Sequence, residues 1–210
     1  MKLNKHIMAM NLAAVIAFGA VAGIIAPSVA GEDNIVAYAA VTDGQASVQD
    51  EVTGGQVSFN EKDNPDLKGC DFESNGDGAT VTLTAVDKTA KKVKFKTGTL
   101  KVGDKEYKIT SIKKGTFKGS KATSIDVSKL ELEKLTANMF QGATKAKTIK
   151  VNGAKLTKKS IDKNFVKGLK KLTKIQVVAK AKQFNKIKKA LNTAAKKTGN
   201  KKTQVKRVKK

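Results

Sequence analysis

The sequence has almost none of the residues on which metal and nucleophilic sites are usually built. Its 210 residues contain one cysteine, Cys70, one histidine, His6, and no tryptophan. A single cysteine excludes an intramolecular disulfide bond, and zinc and copper sites lose their usual ligands. Because His6 is the only histidine, serine–histidine and cysteine–histidine pairs are excluded from the chain after residue 6 as well. We therefore predict no metal site and no cofactor.

Carboxylates are also scarce in the second half of the chain, which limits acid–base chemistry of the glycosidase type. Most of them lie in predicted turns or on solvated faces, and no cluster forms a site. We therefore predict that the protein is not an enzyme. The six acidic residues of this half are Asp104, Glu106, Asp126, Glu131, Glu133 and Asp162.

Arginine is almost absent too, since Arg207 is the only arginine among 42 basic residues. Lysine is a hydrated point charge, whereas arginine supplies the planar fork used to read bases and phosphates. Few aromatic residues are available for base stacking. The composition argues against specific nucleic-acid recognition and favours diffuse attraction to a polyanion, such as wall teichoic acid, an anionic lipid surface, a glycosaminoglycan or extracellular DNA. A lysine coat that only maintains solubility is the alternative.

Charge divides the chain sharply. Residues 31–90 hold twelve acidic residues against three lysines, a net charge of −9, whereas residues 91–210 hold 37 basic against six acidic residues, a net charge of +31. Such asymmetry indicates different roles for the two halves. The acidic segment could also fold back onto the basic half and reduce nonspecific binding. The candidate polyanion-binding residues are those of the basic C-terminal tail: Lys196, Lys197, Lys201, Lys202, Lys206, Arg207, Lys209 and Lys210.

The first 30 residues have the pattern of a secretory signal peptide. Two lysines precede the apolar stretch 7–26, and small residues stand before a cleavage site after Ala30. A second small-x-small site allows cleavage after Ala39, and retention as a membrane anchor is the alternative. A single cysteine fits export by a bacterium that stabilises its exported domains by packing. We predict a secreted or cell-surface protein of a bacterium, Gram-positive by this reasoning.

Residues 31–78 are rich in glycine and small polar residues, which predicts an acidic flexible linker with a short strand around Val57 and Phe59. Alternating oxygen-bearing side chains from Asp71 to Asp77 allow a calcium loop as an alternative. The twelfth position, however, is Thr82 rather than the glutamate of an EF-hand.

Three segments downstream share a similar pattern of apolar residues. Isoleucines lie 24 and then 26 residues apart, each inside a short strand-like triplet and preceded by a phenylalanine. A period in the twenties is typical of a solenoid, whose single unit cannot bury its own apolar face. We predict that the isoleucines stack in one buried column, with valines beside them and the phenylalanines filling the interior from the opposite side. These residues are Ile125, Ile149 and Ile175, Val127, Val151 and Val177, and Phe117, Phe140 and Phe165.

Residues 107–119 resemble the opening unit of BspA-type leucine-rich repeats of bacterial secreted and surface proteins. The pattern recurs at residues 135–142 and 161–168, and the resemblance covers about residues 80–180. It implies a right-handed leucine-rich-repeat solenoid with a binding or adhesion role and no catalytic residues. The predicted fold class is thus an α+β repeat, a short leucine-rich-repeat solenoid at 111–180 with an N-terminal β cap at 79–110.

Both ends of the repeat region carry further signals. Gly103-Asp104 lies between alternating apolar residues and predicts a hairpin. Residues 181–197 have the period of an amphipathic helix, ended by Gly199-Asn200. We interpret this helix as a cap of the last repeat, with a membrane-binding helix as the alternative. Residues 204–208 are a final strand or part of a frayed basic tail.

The sequence thus predicts a secreted, non-enzymatic, cell-envelope-associated protein for binding or adhesion. Its partner would be an unidentified protein or an anionic envelope polymer, and membrane contact would come only from the signal segment or from nonspecific charge. A secreted cationic protein that acts on membranes or nucleic acid through its basic C-terminal tail is the alternative. The oligomeric state is not predicted.

Overall fold

The computed structural model describes residues 55–209. The predicted signal peptide and both of its cleavage sites lie outside these residues. In chain order the elements are β1 (Gly55–Val57), a 3-10 helix (Pro65–Leu67), β2 (Asp71–Ser74), β3 (Thr80–Ala85), β4 (Lys92–Lys94), β5 (Thr99–Val102), β6 (Lys105–Ile112), β7 (Ser124–Val127), β8 (Thr148–Asn152), β9 (Lys174–Val178), α1 (Ala181–Lys197) and β10 (Gln204–Val208).

The first sheet has the order β1-β2-β3-β6-β5 and is mixed: only the pair β3 and β6 is parallel. Alternate residues such as Val81 and Leu83 point into the core, as the period-two pattern predicts. Strands β5 and β6 form the predicted hairpin. Gly103 has a φ of 58° in its turn, a conformation that glycine adopts without the steric cost of a Cβ.

The first sheet corrects the prediction of a flexible linker, since residues 55–78 supply β1, the 3-10 helix and β2. The predicted short strand is present at Val57, but it ends there and Phe59 lies outside it. Val57, Leu67 and Phe72 are all buried. The nearly buried Asn64 side chain accepts the amide hydrogen of Lys101 at 2.8 Å and donates to its carbonyl at 2.7 Å. A few apolar residues are enough to order residues 55–78, because β3 already presents an apolar face against which they pack.

The calcium alternative is also corrected. Residues Asp71–Ser74 form strand β2 rather than a loop. The Asp77 carboxylate is engaged locally, since it accepts the amide hydrogens of Ala79 at 2.9 Å and Thr80 at 2.7 Å. Within residues 55–209 no group of three or more histidine, cysteine, aspartate or glutamate residues could hold a metal ion.

The second sheet is entirely parallel, in the order β10-β9-β8-β7-β4. The three predicted columns are confirmed. Ile125 pairs with Ile149 and Ile149 with Ile175, the valines two residues on pair likewise, and all six side chains are fully buried.

The predicted phenylalanines are also fully buried and lie against one another. The rings of Phe117 and Phe140 are 5.4 Å apart, and those of Phe140 and Phe165 are 6.5 Å apart. Such aromatic contacts stabilise a core beyond the apolar area that they bury.

The predicted α+β leucine-rich-repeat solenoid is nevertheless wrong. Residues 55–209 are mostly β-sheet, in two sheets with a single α-helix, and no solenoid repeat is evident. The predicted cap at 79–110 is divided, because β4 pairs with β7 in the second sheet while its neighbours lie in the first. The similar spacing of the isoleucines requires only an in-register parallel sheet. That sheet also includes β4 and β10, and these strands lack the phenylalanine that precedes β7, β8 and β9.

Helix α1 has the predicted bounds and buries Phe184, Ile187 and Leu191. It connects β9 to β10, and the Gln183 amide donates to the carbonyl of Gly153 at 3.0 Å. The predicted end of the helix is also confirmed, with Gly199 at a φ of 85°. The chain then forms the predicted final strand, β10, on the edge of the second sheet. No helix within residues 55–209 has the length and apolar character needed to cross a membrane.

Candidate functional site

Stacking in the second sheet repeats surface positions as well as core positions. A lysine stands four residues before each residue of the isoleucine column in β7, β8 and β9, and again before Val205, which pairs with Ile175 in β10. All four lysines are exposed. We call Lys121, Lys145, Lys171 and Lys201 the lysine row.

Backbone hydrogen bonds extend the register of the strands toward the lysine row. The amide of Lys147 donates to the carbonyl of Thr123 at 2.8 Å, and the amide of Thr173 donates to the carbonyl of Lys147 at 2.9 Å. The residue after each of the first three lysines is buried, namely Ala122, Ala146 or Leu172. Equivalent positions of neighbouring strands lie about 4.8 Å apart. The lysines therefore start from backbone positions that follow one another across the sheet.

The lysine row brings charges of one sign together. None of its four lysines lies within 4.0 Å of a carboxylate in the described part of the chain. Two unit charges about 4 Å apart in water repel by about 1 kcal/mol, and flexible lysine stems reduce this cost by spreading the ammonium groups. A negatively charged polymer laid along the row would replace the repulsion by attraction.

The outward face of the second sheet adds further lysines. Strand positions that alternate with the buried columns are partly or fully exposed, and all except Val178 and Val208 carry polar side chains. One acidic residue, Asp126, stands among them and pairs with Lys150 at 3.2 Å. The lysines of this outer face are Lys92, Lys94, Lys150, Lys174 and Lys206.

Asp126 stays ionised because its surroundings favour the charged form. Partial burial raises the pKa of the carboxyl, but the hydroxyl and amide of Ser128 and the Lys150 ammonium together lower it below the usual aspartate value. Ser128 provides two bonds to one carboxylate oxygen, from its amide at 3.0 Å and its hydroxyl at 2.6 Å. The outer face therefore keeps one fixed negative charge among its lysines.

The residues of the predicted basic tail are distributed over α1, the turn that follows it and β10. Lys196 and Lys197 lie in the last turn of α1, Lys201 and Lys202 lie in the turn that follows, and Lys206 and Arg207 lie in β10. Lys209 follows β10, and Lys210 lies outside the described residues. Only Lys201 joins the lysine row, and only Lys206 joins the outer face.

The sequence analysis missed Lys121, Lys145 and Lys171. The signal was present, because the alignment of the three isoleucines places lysine in the same column each time. It was hidden by the high number of lysines around it.

Cys70 does not add a reactive group. Burial raises the pKa of its thiol to about 12, with a further contribution from nearby carboxylates such as Asp71. The thiolate is the nucleophilic form, so this cysteine is inert at neutral pH. The absence of catalysis stays a prediction from the sequence.

Comparisons with known protein families, with curated proteins and with solved structures found no match. The resemblance to BspA-type repeats therefore stays a prediction, and the solenoid that it implies is wrong.

Proposed function

We propose that the protein is a non-enzymatic binding protein that attaches to linear polyanions through the lysine row and the outer face of the second sheet. The observation that carries this proposal is the repetition of an exposed lysine three residues before each of four neighbouring strands. A coat that served solubility alone would not need this alignment.

The ligand class follows from the shape of the surface. A row of ammonium groups that crosses the strands fits a flexible chain with a negative charge every few ångströms. Lysine contacts such a chain as a set of point charges and demands no exact geometry from it. The strands below are fixed by the buried columns, so binding orders the lysine side chains but not the backbone, which reduces the entropic cost.

The setting that we propose is the cell envelope, outside the cell. The signal-peptide pattern of residues 1–30 supports export, and a net charge of +24 supports attraction to anionic wall polymers. Contact with a lipid surface would be through charge. We also propose that the protein adheres to an unidentified protein partner in the envelope.

Retention on immobilised ligands tests the proposal. Purified protein is passed over wall teichoic acid, heparin, double-stranded DNA and anionic vesicles at about 50 and 300 mM salt, a range over which counterion release weakens binding strongly. We expect retention at the lower salt on the flexible polymers and a steep loss at the higher salt. No retention on any ligand at the lower salt would contradict the proposal and favour a solubility coat.

A further inference from the structure

A separate cleft of about 230 Å³ lies between α1 and the turn at residues 158–163. Its position differs from that of the lysine row, since the row precedes β7 to β10 whereas the cleft follows β8 and uses the exposed side of the helix. Its lining residues are Lys158, Ile161, Lys163, Lys189, Ala190 and Thr193.

The rim of the cleft carries three positive charges with no counterion from the protein. Lys158, Lys163 and Lys189 form no ion pair within 4.0 Å in the described part of the chain. Asp162 is next in sequence to Lys163, and its carboxylate accepts the amide hydrogen of Asn164 at 2.7 Å. The charge of the rim is thus available to a bound anion.

A fourth ammonium group, that of Lys197, stands beside Lys163. Contact with the Lys163 amine, then loss of water, then repulsion by the Lys163 charge lower the pKa of Lys197, and the more weakly acting Asp162 opposes this shift. Lys197 therefore adds a positive charge next to Lys163, partly offset by Asp162.

The floor of the cleft is apolar. Ile161 is buried, and Ala190 is half-buried beside it. The Thr193 hydroxyl donates to the carbonyl of Lys189 at 2.9 Å, so it has no proton left for an anion. The donors that remain are ammonium groups, which suit a compact group with several acceptor oxygens and more than one negative charge. A phosphate monoester carries a charge of about −1.5 to −2 at pH 7 and three such oxygens.

We propose that this cleft binds the phosphate group of a small phosphate ester, with Lys158, Lys163 and Lys189 around the phosphate and the carbon part against Ile161 and Ala190. This goes beyond the polyanion surface proposed above, because it is a saturable site for a single group on a different face.

Titration of the full chain followed by amide NMR tests the proposal, with glycerol 3-phosphate and inorganic phosphate as probes at constant ionic strength. We expect saturable shifts at the amides of Ile161, Ala190 and Thr193. Glycerol 3-phosphate should bind more tightly than inorganic phosphate, because its carbons contact the apolar floor. Equal affinities for the two probes would overturn the assignment to an ester.

Matched variants separate the cleft from diffuse charge. Lys163→Gln and Lys189→Gln should each weaken binding about tenfold or more, as expected for the loss of a hydrogen bond between charged groups. Lys182→Gln removes an exposed lysine from the same helix outside the cleft and should leave the affinity unchanged. A triple Lys121→Gln, Lys145→Gln, Lys171→Gln variant should also bind the ester normally, so that failure of the polyanion proposal can be told apart from failure of this one. Shifts that never saturate, or equal losses in Lys163→Gln and Lys182→Gln, would overturn the proposal.

Discussion

The two sheets of this protein differ in strand direction, and this difference explains why aligned lysines occur beside the second sheet. In the first sheet most neighbours are antiparallel, so a residue faces a partner from a different position of its strand, and no column of identical residues forms. In the second sheet all strands are parallel and in register, so equivalent positions face one another. A residue type repeated at one position is therefore stacked, whether it is apolar and inside or charged and outside.

This stacking has opposite energetic effects on the two sides of the second sheet. Inside, the isoleucine and valine columns and the phenylalanine rings gain apolar contacts that stabilise the fold. Outside, the lysine row gains only repulsion, which a bound polyanion would relieve. We infer that the core and the proposed binding surface arise from the same strand register.

The largest expected effect comes from the core of the second sheet. Phe140 lies between Phe117 and Phe165, and Phe140→Ala should lower the free energy of unfolding by about 3–5 kcal/mol. Urea denaturation measures this change. Phe59→Ala is the matched change at the margin of the first sheet, where the ring is only partly buried against Phe72, and should cost clearly less. Equal losses would show that the phenylalanine stack has no special weight.

A smaller effect separates two glycines in the turns that precede β8 and β9. Gly142 and Gly168 each follow a column phenylalanine and have φ values of 99° and 91°. A Cβ at Gly142 would lie 2.5 Å from the Cα of Lys118, whereas one at Gly168 would meet only the Gln141 side chain at 4.0 Å.

Gly168→Ala should therefore lower the free energy of unfolding only by the backbone strain of about 1–2 kcal/mol. Gly142→Ala should lower it further, because the backbone of Lys118 must also shift. Thermal melting of both variants checks the order. A Gly142→Ala protein that melts at or above the temperature of Gly168→Ala would mean that the close approach of these two segments is wrong.

The smallest expected effect concerns the acidic residue of the outer face. The pKa of Asp126 in the folded protein lies below the usual value of 3.8, so its contribution to stability is fully present above that value and is lost as the pH falls through the lower folded pKa. Unfolding by urea at about pH 6 and pH 2 should show that Asp126→Asn loses less stability on acidification than the unchanged protein does, by about 1 kcal/mol or less.

The exposed Glu133 provides the control for this comparison. Glu133→Gln should lose as much stability on acidification as the unchanged protein does, because Asp126 keeps its contacts with Ser128 and Lys150 in that variant. An Asp126→Asn protein as acid-sensitive as Glu133→Gln would contradict the role of Ser128 and Lys150.

Sequence reasoning succeeded where the relevant contacts are local or repeated. The bounds of α1 follow from a period within one segment, and the isoleucine column follows from two similar spacings, of 24 and 26 residues. The solenoid prediction was wrong because spacing indicates which strands align, but not what joins them or which other strands enter the sheet. Val93 of β4, for example, pairs with Ile125 although no phenylalanine precedes it at the matching distance.

Other features depend on distant residues and were not predictable in this way. The linker prediction rested on the average composition of residues 31–78 and so overlooked two isolated apolar residues, Leu67 and Phe72, which are fully buried in the structure. The cleft beside α1 depends on the approach of the turn at 158–163 to the helix, which no local sequence pattern reports. The lysine row was readable but needed the strand register to distinguish it from other lysines.

The salt dependence of polyanion binding tests the central claim most directly. Two triple variants remove the same charge: Lys121→Gln, Lys145→Gln and Lys171→Gln empty most of the lysine row, whereas Lys62→Gln, Lys68→Gln and Lys101→Gln remove exposed lysines near the first sheet. Affinity for heparin is measured for both and for the unchanged protein across a series of salt concentrations. We expect the row variant to lose affinity and about 2 to 3 units of the slope of log affinity against log salt, and the control variant to keep most of both. Equal losses in the two variants would contradict the account and reduce the lysine row to part of a general positive charge.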